Sequence, residues 1–226
     1  MTTDNAAPSY ILRYFPVAAL AETSRLLLTA AKADWKEENP EWPAEKPNQP
    51  FGRLPVLIEK GAEDDGSDFV LSESATIERY LARTFGFIPT DLKQAARQEQ
   101  FRDQHIDIIT AFFVSLKSSE AAREEMLENF NEMLDKIIEL QTNLVRNNAR
   151  SNYLFGSSLS YADMVTYAFY RLLFMYAVTH QAAIGPHVAS KLTPEIKTFL
   201  GNMDAEPMFE KHLSSSGCLA PYLATK

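Results

Sequence analysis

The spacing of apolar residues changes character about a third of the way along the chain. In the first part, short segments rich in β-branched and aromatic residues predict strands, and longer segments with apolar residues three or four positions apart predict helices. Four prolines between the first helix and the second strand predict an irregular loop. The predicted order is strand, helix, loop, strand, strand and helix, over residues 9–15, 20–32, 36–52, 54–58, 69–71 and 74–85. Such mixed content predicts an α/β layer with a small sheet.

In the rest of the chain only helical periodicity remains. The predicted helices cover residues 92–118, 120–146, 160–178, 194–203 and 206–213. The third of these is dense in aromatic residues, which predicts a helix buried on most sides, and Ser160 and Asp163 fit a capping box at its start. Pro89 lies in a short linker between the two parts. The pattern therefore predicts one domain over residues 1–87 and an all-helical domain over residues 92–226.

Composition restricts the classes of protein that fit. The chain has 226 residues, 46% of them hydrophobic and 23% charged, which is typical of a soluble globular protein. No apolar run approaches the ~20 residues that span a bilayer, and Met1–Pro8 lack the pattern of a secretory signal. The single cysteine, Cys218, fits a reducing compartment. The net charge of -8 argues against nucleic acid as a partner, and the histidines show no metal-ligand spacing.

Five short motifs then follow one another in a fixed order. They are YILRYFPVAALAE, DWKEE, a W-x3-K pair, FGRLPVL and SESATIERYLARTFG. Together they resemble the glutathione-binding half of the cytosolic glutathione transferase family, and most of all its tyrosine-type pi and sigma classes. The resemblance implies a thioredoxin-like βαβ-ββα domain followed by an all-helical bundle. It also implies a cytoplasmic homodimer that takes glutathione and a small hydrophobic co-substrate, and that needs no metal.

By this resemblance, Tyr14 is the catalytic hydroxyl. A free thiol titrates near ~8.5, so little of it is thiolate at neutral pH, and the thiolate is the nucleophile. A neutral tyrosine can donate an O–H hydrogen bond to the thiolate and so lower the thiol pKa. Taken without the other motifs, Tyr14 would be read only as a strand aromatic with its hydroxyl at the sheet edge.

The resemblance also assigns residues that hold the cysteinyl and γ-glutamyl parts of glutathione. Pro55 matches a proline whose preceding peptide bond is cis, which turns the Leu54 backbone outward to pair with the cysteinyl part like an added strand. Ser74 is an N-cap residue type, and the N–H groups behind it would form a site for the γ-glutamyl carboxylate. Glu73 would contact the adjacent ammonium. The alternative for this pair is a helix cap only.

The remaining assigned residues lie in the proline-rich loop and in the helical part. Trp42 and Lys46 would bind the glycyl carboxylate, through the indole N–H and the ammonium. Arg53 stands beside them where these classes usually have glutamine or a small residue. Asp107 falls where an acid reaches the γ-glutamyl ammonium across the dimer interface, if the alignment has no gap after Ser74. A polar helix residue is the alternative for Asp107.

One departure from the pattern leaves three functions open. Leu20 stands where the pi and sigma classes have an arginine near the active site, and Arg13 or Arg53 could restore the positive potential. The first hypothesis is an enzyme that conjugates glutathione to hydrophobic electrophiles, with a role in detoxification. The second is a glutathione-dependent isomerase of the sigma type, in which glutathione is not consumed. The third is a non-catalytic ligand-binding protein on the same scaffold.

Overall fold

The computed structural model describes residues 9–176 and 184–223. The chain divides into two compact units, the first ending at Gly86 and the second beginning at Phe87. No helix within the described residues is long and apolar enough to cross a membrane.

The first unit is a four-stranded sheet with two helices. Its elements in chain order are β1 (Ser9–Arg13), α1 (Glu22–Ala30), β2 (Asp34–Glu38), β3 (Val56–Glu59), β4 (Phe69–Ser72) and α2 (Ser74–Thr84). The strand order is β2-β1-β3-β4, with β1 and β2 parallel and the other two pairings antiparallel. Tyr10 and Leu12 alternate with less buried residues along β1, as expected of a strand that packs one face on the core. The βαβ-ββα arrangement implied by the resemblance is confirmed.

One loop boundary and one strand boundary predicted in this unit were wrong. The loop predicted from residue 36 begins instead after β2, whose sequence DWKEE is mostly polar. This strand lies at the edge of the sheet and is largely exposed, so it lacks the apolar alternation that marks a half-buried strand. The strand predicted from residue 54 begins at Val56, because Pro55 has no N–H to donate to a ladder.

The second unit contains helices and no strand within its described residues. In chain order they are α3 (Leu92–Lys117), α4 (Glu120–Asn147), α5 (Tyr161–Arg171), α6 (Ile184–Lys191), α7 (Pro194–Asp204), α8 (Glu210–Ser216) and α9 (Ala220–Leu223). A π-helical segment, Leu172–Tyr176, continues α5, and residues 177–178 of the predicted aromatic helix lie outside the described residues. The helix predicted near residues 206–213 is instead a 3-10 turn, Pro207–Phe209, followed by α8.

The aromatic-rich helix α5 is buried along its whole length, as the sequence predicts. Its capping box is present: the backbone N–H and the hydroxyl of Ser160 donate to the Asp163 carboxylate at 2.8 and 2.6 Å. The Leu154 N–H donates to the other carboxylate oxygen at 2.7 Å. Burial raises the pKa of Asp163 to about 6, although these donors favour its ionised form. The box therefore fixes where the core helix of this unit begins.

Candidate active site

Three segments that carry predicted site residues meet at one end of the sheet. The register pairs Arg13 of β1 with Val56 of β3, and Val56 with Ser72 of β4. The next residue beyond each strand is therefore Tyr14, Pro55 or Glu73, side by side at the same end. The Tyr14 N–H also donates to the Glu38 carbonyl at 3.0 Å, which places the end of β2 there as well. Sheet pairing thus brings Tyr14, Pro55 and Glu73 side by side.

Tyr14 is 6% exposed and its hydroxyl has a defined neighbour. The Leu20 backbone N–H donates to the Tyr14 Oη at 3.2 Å. This bond uses a lone pair of the hydroxyl and not its proton, so it is compatible with an O–H that donates to another group. The Arg25 guanidinium lies 5.6 Å from the centroid of the Tyr14 ring. Leu20 thus takes part through its backbone, although its side chain replaces the expected arginine.

Sequence reasoning missed Arg25 as part of this site. It lies in α1, is 4% exposed, and pairs with Glu22 and Glu37. Burial by itself lowers the pKa of Arg25, but hydrogen bonds and charges from Glu37 and Glu22 outweigh burial and hold that pKa above its ordinary value. The sequence held one indication of a buried ion pair: Arg25 stands directly before the apolar run Leu26–Leu28, and Glu22 stands three positions before Arg25.

Trp42 and Lys46 lie in the loop that follows β2. The Trp42 indole stands perpendicular to the Phe15 ring at a centroid distance of 5.7 Å, and Phe15 in turn lies 5.5 Å from the Tyr14 ring. Lys46 is exposed and opens the 3-10 turn Lys46–Asn48. A Cβ built on Gly52 would lie 3.7 Å from the Lys46 stem, so this lysine runs alongside the second 3-10 turn, Pro50–Gly52. The peptide bond Trp42–Pro43 is cis.

Arg13 anchors this loop and does not face the Tyr14 hydroxyl. Successive side chains of a strand point to opposite faces, so Arg13 and Tyr14 diverge. The Arg13 guanidinium lies 2.5 Å from a Glu45 carboxylate oxygen and donates to the Gln49 side-chain oxygen at 3.2 Å. Its Nε is 3.5 Å from Glu38. Arg13 is therefore engaged with the loop that carries Trp42 and Lys46.

The turn from β4 into α2 differs by one residue from the predicted cap. Glu73 is the N-cap residue, with φ 71° and ψ 113°, and Ser74 is the first residue of the helix. The prediction of Ser74 as the N-cap was wrong, because the chain passes from strand to helix within a single residue. A positive φ is uncommon outside glycine, and such strained residues concentrate at functional sites. Because Glu73 follows β4 at the end of the sheet where Tyr14 and Pro55 lie, α2 begins at that end.

The other predicted residues are placed as follows. The peptide bond Leu54–Pro55 is cis, as the resemblance implies. Arg53 is exposed in an extended conformation just before it. Asp107 lies in the second unit, exposed on α3, at a groove of about 540 Å³ between α3 and α4. Lys136 lines the same groove, together with apolar side chains of both helices, Phe101, Met133, Ile137 and Leu140.

Within residues 9–176 and 184–223 no three or more His, Cys, Asp or Glu side chains are grouped so that they could hold an ion.

Comparison with known proteins connects this chain to one family. A family model described as the glutathione S-transferase C-terminal domain matches residues 93–216. The probable glutathione S-transferase 6 of Caenorhabditis elegans is 33% identical over 164 residues, covering 69% of this chain and 76% of that protein. The hematopoietic prostaglandin D synthase of Gallus gallus is 30% identical over 160 residues, covering 69% and 75%.

A solved structure extends the likeness over both units. The monomeric glutathione S-transferase Na-GST-3 of Necator americanus superposes with a TM-score of 0.69 at 26% identity. The match covers 92% of this chain and 97% of that one. The likeness therefore includes the first unit, which lies before the residues that the family model matches.

Proposed function

Because the chain belongs to the glutathione S-transferase family, we propose that Tyr14 activates glutathione as a thiolate for conjugation to small hydrophobic electrophiles. Glutathione is the co-substrate. The enzymatic function takes precedence over the non-catalytic carrier, because similarity at about a third identity to named transferases spans most of the chain.

The observation that carries this proposal is the setting of the Tyr14 hydroxyl. It is nearly buried, accepts a main-chain N–H and lies at the sheet end where four segments converge. Lowering a thiol pKa by two units requires about 2.7 kcal/mol. A hydrogen bond to an anion supplies roughly 1.5–3 kcal/mol, so one O–H donor is enough to account for most of the activation.

We propose that the rest of the tripeptide is bound around this hydroxyl. The first amides of α2 and the Ser74 hydroxyl hold the γ-glutamyl carboxylate, because a helix N-terminus favours an anion. Glu73 pairs with the adjacent ammonium. The Leu54 backbone, next to Pro55, hydrogen-bonds the cysteinyl part in the manner of an added strand.

The glycyl end of glutathione falls to the loop after β2. Trp42 donates its indole N–H to the glycyl carboxylate, and the exposed Lys46 ammonium pairs with it. Arg53, exposed on the same loop, adds positive charge near that carboxylate. Each of these assignments is testable by glutathione affinity alone.

The direct test replaces one oxygen atom. Tyr14→Phe should keep the fold and most of the glutathione affinity. It should lower turnover of an activated aryl halide at pH 7 by about 25-fold, because a rise in thiol pKa from about 6.5 to about 8.5 lowers the thiolate fraction from about three quarters to about 3%. Tyr10→Phe is the matched control, because it removes the hydroxyl of a buried tyrosine in β1, four residues before Tyr14. Normal turnover in Tyr14→Phe would exclude Tyr14 as the activating group.

We further propose that the active form is a homodimer. In this dimer Asp107 reaches the γ-glutamyl ammonium of the glutathione that is bound to the other subunit. Phe51 is 79% exposed at φ 55°, and the groove beside Asp107 has an apolar lining. Burying both against a second copy would remove this apolar surface from water. In sedimentation, Phe51→Ser should shift the protein to monomer, whereas Leu92→Ser, at another exposed apolar residue, should not. A monomeric wild type would contradict the proposal.

A second candidate reaction has specific support. The similarity to a prostaglandin D synthase points to a glutathione-dependent isomerisation, in which the thiolate adds to the substrate and then leaves. The two reactions differ in stoichiometry. Conjugation consumes one glutathione per turnover, and isomerisation consumes none. A thiol count during turnover of an unsaturated carbonyl or endoperoxide substrate decides between them.

We also propose that the enzyme acts in the cytoplasm and contributes to detoxification. The single cysteine fits a reducing compartment, where glutathione is abundant. Fractionation of cells that express the native protein should recover it with the cytosol, and recovery in a membrane or organelle fraction would contradict this location.

A further inference from the structure

We propose that Arg25 is a positioning residue for the Tyr14 hydroxyl, acting by fixing the turn that presents the Leu20 amide to it. This inference rests on the proposed role of Tyr14 as thiolate donor. It concerns a residue that touches neither the thiol nor any other part of glutathione in the assignments above.

The first observation is what the Arg25 fork binds. Its two terminal nitrogens donate to the carbonyls of Val17 and Phe15, each at 2.7 Å. These two carbonyls bracket Pro16, which has no N–H of its own. They also accept local N–H groups: Val17 donates to Phe15 at 2.8 Å, and Ala19 donates to Val17 at 2.9 Å. Arg25 thus holds the acceptors on which two successive tight turns depend.

Those turns decide where the Leu20 amide points. The segment leaves β1 at Tyr14 and enters α1 at Glu22, and Leu20 comes directly after the second turn. The Leu20 N–H reaches the Tyr14 Oη at 3.2 Å. The guanidinium also lies over the Tyr14 ring, 5.6 Å from its centroid. One buried side chain therefore restrains both the aromatic ring and the donor that contacts its hydroxyl.

The charges around Arg25 indicate that it holds the turn in place and does not stabilise the thiolate by its own positive charge. Glu22, 1% exposed, lies 3.1 Å from one nitrogen, and Glu37 contacts both Nε and a terminal nitrogen. Two carboxylates against one guanidinium leave no net positive charge to stabilise a thiolate at a distance. The contribution of Arg25 is geometric, and a guanidinium is suited to it because its planar fork binds several acceptors in fixed directions.

The test is the pKa of the bound glutathione thiol, measured by thiolate absorbance in the full-length protein. Arg25→Lys keeps the charge, but an ammonium has three N–H donors and no planar fork, against the four partners that Arg25 binds: the carbonyls of Val17 and Phe15 and the carboxylates of Glu22 and Glu37. We expect the thiol pKa to rise by about one unit from about 6.5 and turnover at pH 6.5 to fall by about fivefold, with glutathione affinity changed less than about twofold. An unchanged thiol pKa in glutathione-bound Arg25→Lys would overturn the proposal.

The second unit offers a matched control. Arg171 is fully buried, donates to the Gly217 carbonyl at 2.6 Å and lies 5.6 Å from the centroid of the Tyr167 ring. Arg171→Lys makes the same chemical change in a comparable setting. It should lower the melting temperature and leave the thiol pKa unaltered. A rise in thiol pKa equal to that of Arg25→Lys would show that general loosening, and not position, is being measured, and would overturn the proposal.

A further variant separates geometry from charge even if Arg25→Lys fails to fold. Glu37 is partly exposed on the edge strand, and Glu37→Gln weakens its hold on Arg25 while removing a negative charge. A field effect predicts a lower thiol pKa, and positioning predicts a higher one, so a lower or unchanged value contradicts the proposal.

Tyr14→Phe in the same assay tests the proposed role of Tyr14 by itself. If this variant leaves the thiol pKa unchanged, the proposed function fails. If only Tyr14→Phe raises it, this inference alone fails.

Discussion

A buried histidine in the helical unit should make the stability of this protein fall steeply with acid. His105 of α3 is 1% exposed and stacks on Phe169 of α5 with ring centroids 4.3 Å apart. The Tyr170 hydroxyl donates to the Gln141 side-chain oxygen at 2.7 Å, and the Gln141 amide nitrogen lies 2.9 Å from His105 Nε2. This chain of bonds makes Nε2 an acceptor, so a second proton on the ring would oppose the Gln141 N–H.

The magnitude follows from the change in proton binding. Burial, with a smaller contribution from Arg102, lowers the pKa of His105 from 6.5 to about 3. Below pH 6.5 His105 is protonated in the unfolded chain but stays neutral in the folded protein. The free energy of unfolding therefore falls as the pH drops from about 7 toward 3. Between pH 7 and pH 5 the loss from this one group is about 2 kcal/mol.

The assay is urea unfolding at both pH values, at one fixed protein concentration, for wild type and His105→Gln. The variant lacks the titrating ring, so other groups cancel in the comparison, whatever its own stability. Wild type should lose about 2 kcal/mol more than His105→Gln between pH 7 and pH 5. Equal losses would mean that folding does not shift the His105 pKa, and would refute the reasoning from burial.

Three further substitutions test the site from other directions. Arg13→Met should weaken glutathione binding several-fold in isothermal titration, because Glu45 and Gln49 lose the cation that ties the Trp42 loop to β1; an unaltered dissociation constant would show that the loop holds its shape without Arg13. Asp107→Ala should also weaken binding, and an unchanged constant would mean that the ungapped placement of Asp107 is wrong. Glu73→Gly should raise the free energy of unfolding by about 1 kcal/mol, since glycine tolerates the positive φ, while lowering glutathione affinity; a less stable variant would argue that Glu73 is not strained.

The resemblance supplied the residues at the sheet end, and the strand and helix pattern places them there because each one adjoins a strand or starts a helix. Tyr14, Pro55 and Ser74 stand next to segments with clear β or helical patterns, and strand pairing brings such neighbours together. The hydrophobic pattern did not predict β2, because an exposed edge strand need not alternate, although the βαβ-ββα order implied by the resemblance includes it. The cap shifted from Ser74 to Glu73 because residue type alone does not specify which residue takes the unusual backbone angles.

The polar groups of the interior were harder to predict. Arg25 and His105 are buried residues of types that usually lie at the surface or at active sites, and their partners are distant in sequence. Arg25 binds Glu37 across the sheet edge, and His105 binds Gln141 on another helix. Periodicity reports which face of an element is apolar and carries no information about which polar side chain will find a partner inside.

The measurement that bears most directly on the whole account is the thiol pKa of bound glutathione in wild type and in Tyr14→Phe. Activation by the Tyr14 hydroxyl predicts a thiol pKa well below the ~8.5 of a free thiol in wild type, and a return toward that value when the hydroxyl is removed. Glutathione bound with the same thiol pKa in both proteins would contradict the assignment of Tyr14 as the group that makes the nucleophile.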